Sequence, residues 1–594
     1  MAEARRVSRQ VRRAQARRDQ AAPRARTALR IDLFAVPLLL IAGFVAYHNA
    51  LNGPFVLDDF SAIQNNETIR TLSARVFSPP ARAAVTRRPL VNLSLALNYA
   101  FDGLNVTSYH VFNVVTHLLV ALVLFGIIRR TLRSPVLRSR YGDRATGLAT
   151  ATALLWVVHP LASESVDYTI QRTELLMGLF FLVTLYGALR SFQSPKPRLW
   201  YAASLCAFAL GLASKEVIVV AAPIVFLFDW LFDSPSLRAA AKRHFLLYAG
   251  YVGVVILYLL VVGTRLRWVL EGRGSRAITP PHYALTETGI IVHYLRLALW
   301  PDALAADYAG WPVANSVASV LPSLLVIGAL LALTVWGLAH RSKVAFFGAW
   351  FFAILAPTSS FKPLPHEVAA ERRMYLPLMA VVLLLILGGE ALLRWIGAPR
   401  GVGLAVTAVL AIALTLVTIR RNDDYRTTFS FWSDAVAKRP TNPRARMWLG
   451  NYLYENGRTS EALEHLKEAV RLQPENSDAQ YSLGVVLARQ GKVDEAIQRY
   501  REALRIDPEN ASAHNNLGIV LAGRGELDEA IRQYREALRI LPGHANAHYN
   551  LALVLAQRGQ VAEAIEHLEA ALRLKPDFAE ARSALDAYRK LAGT

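Results

Sequence analysis

The sequence predicts an all-α protein in two parts, a polytopic transmembrane domain of about eleven helices followed by an α-solenoid. Two observations carry that reading. Residues 32–420 are a succession of apolar runs, whereas residues 421–594 are polar, charged and periodic. A helix needs ~20 predominantly apolar residues to cross the hydrocarbon core. A polar helical repeat, in contrast, buries a core only by stacking its copies. At 594 residues the chain also exceeds what one core accommodates.

The crossings are expected near 32–50, 111–128, 146–160, 172–189, 199–213, 217–232, 244–263, 317–339, 344–357, 374–394 and 402–419. The run 289–301, "GIIVHYLRLALWP", carries His293 and Arg296 and suits an interfacial helix better than a crossing. Lys and Arg in short loops mark the cytoplasmic side. Loops 129–144, 190–198, 238–243, 340–343 and 394–400 are basic, as is the tail before the first run. With those inside, loops 51–110, 159–171, 214–216, 264–316 and 358–373 fall outside, together with the C-terminal part. The N-terminus is then cytoplasmic and the solenoid periplasmic or lumenal.

Net charge is +21, but the basic residues form no single patch. They sit in the tail, in loops between apolar runs and along the C-terminal helices, which speaks for membrane orientation and against nucleic acid. Cys206 is the single cysteine, so no disulfide framework exists. Residues 1–31 read as an uncleaved basic cytoplasmic tail, since no small-residue cleavage site follows the first run. The remaining divisions are a membrane domain at 32–420, a linker and half-repeat at 421–442, four repeats at 443–578 and a capping helix at 579–594.

Prolines recur at 440, 474, 508, 542 and 576, a period of 34. Gly450, Gly484 and Gly518 share one offset, Gly457, Gly491, Gly525 and Gly559 another, and Ala462, Ala496, Ala530 and Ala564 a third. This is the tetratricopeptide pattern, in which small residues let two helices approach and proline ends the second. Such arrays present a concave surface to an extended partner. Asn516 and Asn550 hold the same position of repeats three and four, where an inward amide can bond both groups of a peptide backbone. They resemble the asparagine ladder of the tetratricopeptide domain of O-linked N-acetylglucosamine transferase. Trp448 and Ser482 replace them in the first two repeats.

Four clusters of polar residues share the expected outer face: Asp58 and Asp59 with "TRRPL" (86–90); His159, Glu164, Asp167, Arg172 and Glu174; Lys215 and Glu216; and Lys362, His366, Glu367, Glu371, Arg372 and Arg373. Carboxylates suit removal of a proton from an attacking hydroxyl. Arg and Lys suit a lipid phosphate and the charge it gathers on leaving. The competing structural role for the aspartate pair is a helix N-cap. Of the two, Asp59 is the favoured base. No phosphate-binding loop of the nucleotide type occurs, and no cofactor is implied, though a divalent metal stays open.

The stretches "FVLDDFSAIQNN" (55–66), "RRPLVNLSLALNYAFDGLNVTSYHVFNVVTHLL" (87–119), "HPLASESVDYTIQRTELL" (159–176), "SKE" (214–216), "LWPDALAADY" (299–308) and "AAERRMYLP" (369–377) resemble the transmembrane and tetratricopeptide-repeat-containing protein O-mannosyltransferases, within the C-type (GT-C) glycosyltransferases. The resemblance implies transfer of a mannose-like sugar from a polyprenyl-phosphate donor to Ser or Thr hydroxyls of proteins, with the array recruiting the acceptor. It makes Asp58 and Asp59 catalytic. It places His159, Glu164, Arg172 and Glu174 around the cavity, and Arg88, Glu216 and Glu371 join them as donor-binding candidates. Arg372 and Lys215 are assigned to the lipid phosphate from charge and side alone. The Ala, Arg and Leu bias points to a bacterial inner membrane. The alternative is an inactive membrane-anchored scaffold for protein assembly.

Overall fold

The computed structural model describes residues 34–80, 83–262, 278–359 and 367–593. Among them no strand occurs. The basic tail, Lys362 and His366 lie outside the described residues. The chain forms two compact units, Met1–Phe431 and Trp432–Thr594.

In the first unit the helices are α1 Phe34–Asn52, α2 Pro89–Asp102, α3 Val106–Leu132, α4 Arg138–Val157, α5 Pro160–Asp167, α6 Thr169–Phe192, α7 Pro197–Leu212, α8 Glu216–Phe232, α9 Leu237–Arg243, α10 Phe245–Val261, α11 Pro280–Leu299, α12 Val317–Ala339, α13 Ala345–Leu355, α14 Pro377–Trp395 and α15 Gly401–Asp423. Every expected apolar run is therefore helical. By length and composition, α1, α3, α6, α12, α14 and α15 suffice to span a membrane alone. The number reaches eight if α4 with α5, bent by 56°, and α8 with α9, bent by 116°, each count once. The eleven expected crossings are thus not eleven full-length helices. The 11 residues of α13 rise only ~16 Å against a core of ~30 Å.

The helices share two chemically distinct ends. The basic loops meet at one of them. There Arg130 Nη1 donates to Gln193 Oε1 at 3.3 Å, Arg243 Nη2 to the Phe192 carbonyl at 3.5 Å, and Arg341 Nη2 to the Trp230 and Ser234 carbonyls at 2.6 Å each. Arg144 pairs with Glu390, and the Arg394 guanidinium lies over the Tyr141 ring. The acidic loops meet at the other end. Helix α11 lies along that end and does not run to the opposite one. Near its start Tyr283 donates to the Thr358 carbonyl at 2.7 Å, Glu287 pairs with Arg373 at 3.1 Å, and at its close the Ala298 carbonyl accepts from His159 at 3.2 Å.

Between the ends lies one apolar core that includes Trp156, Phe181, Trp350, Tyr375 and Leu376. A buried indole N–H must find an acceptor. Trp156 donates to the Tyr375 carbonyl at 3.1 Å and Trp350 to that of Leu376 at 2.9 Å. Those two bonds fasten the "RRMYLP" segment, and so Arg372, to the packed interior.

The second unit pairs its helices repeat by repeat, from Pro443–Glu455 with Thr459–Leu472 to Ala545–Gln557 with Val561–Leu574, and closes with Ala579–Ala592. The sequence pattern has direct physical causes. A Cβ on Gly518 would lie 2.7 Å from the Tyr534 ring, so only glycine permits that approach. Gly491, Gly525 and their equivalents turn between helices at φ 76 to 83°, which favours glycine. Proline follows each second helix, and its carbonyl is capped from six residues on: Gln480 donates to Pro474 O at 2.9 Å and His548 to Pro542 O at 3.1 Å.

Candidate active site

The opening carboxylates of "LDDF" do different work. Asp59 is fully buried. Its Oδ2 accepts from the Val56 amide at 3.0 Å and its Oδ1 from the Ile170 amide at 2.8 Å. It therefore staples the loop after α1 to the start of α6. Burial pushes its carboxyl up to about 8, although the two amides favour the charge. The favoured base of the sequence reading is thus the buried member of the pair. Nor does it cap the next helical turn with its side chain. Asp58 is exposed, and its amide donates to the Tyr168 hydroxyl at 2.8 Å. The residue before it, Leu57, sits at φ 48°, a strained conformation for a branched side chain. The Asp59 staple and the Tyr168 hydroxyl hold the chain there and turn Asp58 outward.

Arg172 also departs from expectation. Fully buried, it donates to Asn113 Oδ1 at 3.3 Å, Ser94 Oγ at 3.3 Å, Asn98 Oδ1 at 2.6 Å and the Tyr109 carbonyl at 3.1 Å. Its guanidinium also covers the Phe112 ring. So committed, it locks α2, α3 and α6 together. His159 is likewise buried, with Nδ1 accepting from the Leu161 amide and Nε2 donating to Ala298 O. Each of these two residues shapes the site without lining it.

Glu371 is the third such case. At 0% exposure its Oε1 accepts from the Ala305 amide at 2.7 Å and the Tyr308 hydroxyl at 2.6 Å, while Oε2 lies 3.4 Å from Arg421 Nη2. The "LWPDALAADY" stretch thereby acquires a physical purpose. Burial raises the Glu371 carboxyl to about 7, opposed by Arg421.

Other predicted residues do converge. Arg372 pairs with Glu164 and Glu367, and its amide donates to Glu164 Oε2 at 2.8 Å. Burial works against its charge, but the Glu367 and Glu164 carboxylates hold its pKa well above the usual arginine range. Lys215 pairs with Glu174, and both are largely buried. Arg372 also lies close enough to act electrostatically on Lys215 and on Tyr168, the residue that holds Asp58. A small pocket of about 20 Å³ opens here. Its lining mixes polar residues, Glu174, Arg372, Arg373, Thr358 and Tyr375, with apolar ones, Met177, Val217, Ile354 and Leu376. Arg88 and Glu216 form a looser pair at 3.8 Å, with Glu216 mostly exposed.

Sequence reasoning missed Tyr168, Arg421 and Tyr308. The signal for Arg421 was available in "RR" at 420–421, where an apolar run ends. The tyrosines carry no such mark, since a buried hydroxyl and a plain core ring read alike.

In the array, Asn516 Nδ2 donates to the Tyr481 hydroxyl at 3.1 Å, Asn515 to Asn516 Oδ1 at 3.1 Å and Asn550 to Asn515 Oδ1 at 3.0 Å. The amides of the expected ladder form a chain among themselves. Trp448, at the ladder position of the first repeat, stacks on Trp432 with ring centroids 5.9 Å apart.

Comparison with known proteins agrees with both units. The tetratricopeptide-repeat family matches residues 432–477, 449–511, 481–545 and 515–577. The chain is 26% identical over 507 residues to protein O-mannosyl-transferase Tmtc3 of Drosophila melanogaster, covering 72% of this chain and 54% of that protein. It is 25% identical to human protein O-mannosyl-transferase TMTC1, with 73% and 54% covered. It thus spans about half the length of these relatives. Among solved structures, MamA is 26% identical over 26% of this chain and 89% of that one, at a TM-score of 0.24. The chain is therefore an all-helical protein with membrane-type apolar helices and tetratricopeptide repeats, similar across nearly three quarters of its length to curated protein O-mannosyl-transferases.

Proposed function

We propose that the chain is a membrane glycosyltransferase of the GT-C kind that moves a mannose-like sugar from a polyprenyl phosphate to Ser or Thr hydroxyls of proteins. The carrying observation is that Arg372 and Lys215, each paired with a largely buried carboxylate, stand by a small pocket lined by both charged and aliphatic side chains. An anionic lipid head with an apolar tail calls for both kinds of neighbour. Arg372 and Lys215 face the phosphate. Their charge, held in a largely buried place, favours the departing phosphate oxyanion over the neutral acceptor. Asp58, the exposed carboxylate whose amide the Tyr168 hydroxyl holds, takes the hydroxyl proton as the acceptor oxygen bonds to the anomeric carbon. The bond from that carbon to the phosphate oxygen breaks, and polyprenyl phosphate leaves. Asp59, Arg172, His159 and Glu371 position these groups. The site opens to the periplasm or lumen, and the repeat array delivers the acceptor.

Protein-linked glycans in cells carrying the native chain, Asp58→Asn, Arg372→Gln or a deletion of 443–594 test this reading. General-base assistance is worth about 10²–10⁴-fold. Transfer should fall by that factor in Asp58→Asn with insertion and thermal midpoint unchanged. Arg372→Gln should abolish it, and the deletion should alter acceptor choice more than donor turnover. Native glycan levels in Asp58→Asn and Arg372→Gln together would sink the enzyme reading and favour the scaffold.

A further inference from the structure

At the basic end, α8 closes on Asp229, the turn after it carries Asp233, and His244 stands between α9 and α10. One nitrogen of His244 and one oxygen of each carboxylate lie within 4.8 Å of one another. Asp229 is fully buried and His244 is 4% exposed. The surroundings are ordered around these three groups. Asp229 Oδ1 accepts from Ser234 Oγ at 2.7 Å and Oδ2 from the Tyr248 hydroxyl at 2.6 Å. His244 Nδ1 bonds the Tyr201 hydroxyl at 2.7 Å, and the imidazole packs on Phe192. Asp233 gives Oδ2 to Arg243 Nη1 at 2.6 Å, which leaves Oδ1 as the oxygen it can offer.

His244 Nε2 is buried without a hydrogen-bond partner. Leaving such an atom unpaired is costly, so a native site usually supplies something for it. We infer that Asp229, Asp233 and His244 bind a first-row divalent cation of the zinc class, which staples the sharp α8–α9 turn to the start of α10. The donor set fits. Imidazole nitrogen with two carboxylates suits Zn²⁺, whereas Mg²⁺ and Ca²⁺ prefer oxygen alone. With Nε2 on the ion, Nδ1 carries the proton and donates to Tyr201, the outer-shell arrangement that fixes a metal-bound histidine. The Ser234 and Tyr248 hydroxyls orient Asp229 in the same manner. Two carboxylates and one guanidinium leave a net negative pocket for the cation. The site stands about 20 Å along α8 from Lys215, since Asp229 follows Glu216 by thirteen residues at 1.5 Å each. Its role is therefore structural and independent of the proposed chemistry.

The test uses the full-length protein in detergent, stripped with a chelator and titrated with ZnCl₂, with bound zinc counted by elemental analysis. The wild type should take up one tight zinc per chain, with a raised thermal midpoint, and excess Mg²⁺ should not displace it. His244→Gln and Asp229→Asn should lose that zinc. Tyr201→Phe, which removes only the partner of Nδ1, should weaken binding about 10–100-fold while the chain still folds. Absence of stoichiometric zinc in the wild type overturns the inference. So does equal uptake by wild type and His244→Gln, or an unchanged affinity in Tyr201→Phe should the ligand variants not fold.

Discussion

The helical domain and the repeat array both carry many ion pairs, but they use them in opposite ways. In the helical domain several pairs are deeply buried: Arg421 with Glu371 and Arg373 with Glu287 leave at most 5% of any of the four side chains exposed. In the array they lie open to water, as in Arg558 with Asp528, exposed by 46% and 65%. Burying a charge is costly and tolerable only when it is paired and hydrogen-bonded. Exposed pairs are screened and contribute little. The array's stability thus rests on small residues and stacked aliphatics. The first unit instead uses several of its buried charges to hold one loop, 367–376, against α5, α11 and α15.

Removing one partner should separate the two regimes most strongly. Arg421→Met leaves Glu371 buried beside Tyr308 without its cation. Such a break costs about 3–5 kcal/mol. The detergent-solubilised protein should show a much lower thermal midpoint, and transfer should fall along with it. An unchanged midpoint would mean that the pair carries no weight.

Packing should dominate the array. Gly518→Ala forces a methyl against the Tyr534 ring, and overpacking of this kind costs about 1–3 kcal/mol. Hydrogen exchange should accelerate in repeat three and its neighbours while α6 and α14 stay protected.

A graded difference should appear with pH. Burial raises the folded carboxyls of Asp59 to about 8 and of Glu371 to about 7, from usual values of 3.8 and 4.5. Between those limits the folded chain holds protons that the unfolded chain has released. Stability of the helical domain therefore falls as pH rises through this window and levels off above it. Melting Glu371→Gln across the same pH series should give a shallower slope than the wild type. In the array, burial holds the imidazoles of His465, His544, His548 and His567 below their usual value, so its stability should instead rise with pH through the histidine range.

The smallest effect belongs to Arg558→Ala. Its loss should leave the melting midpoint within measurement error. A clear drop would show that the ion pairs linking successive repeats matter more than their exposure suggests.

The sequence by itself determined that the apolar runs are helical and that the C-terminal part repeats every 34 residues, because both follow from local spacing. Runs such as 106–132 and the recurrent glycines need no distant partner to be recognised. Segregation of the charged loops was also legible, since alternation along a bundle fixes which loops meet. The tertiary structure decided which charge does what. Asp58 and Asp59 are adjacent and chemically identical, yet one faces out and the other is spent on the amides of Val56 and Ile170. Arg172 and Arg372 look equally suited to a phosphate, but Asn98, Asn113 and Ser94 claim the first. A side chain's task depends on which donors and acceptors reach it across fifty residues or more. That information arises only when the helices pack.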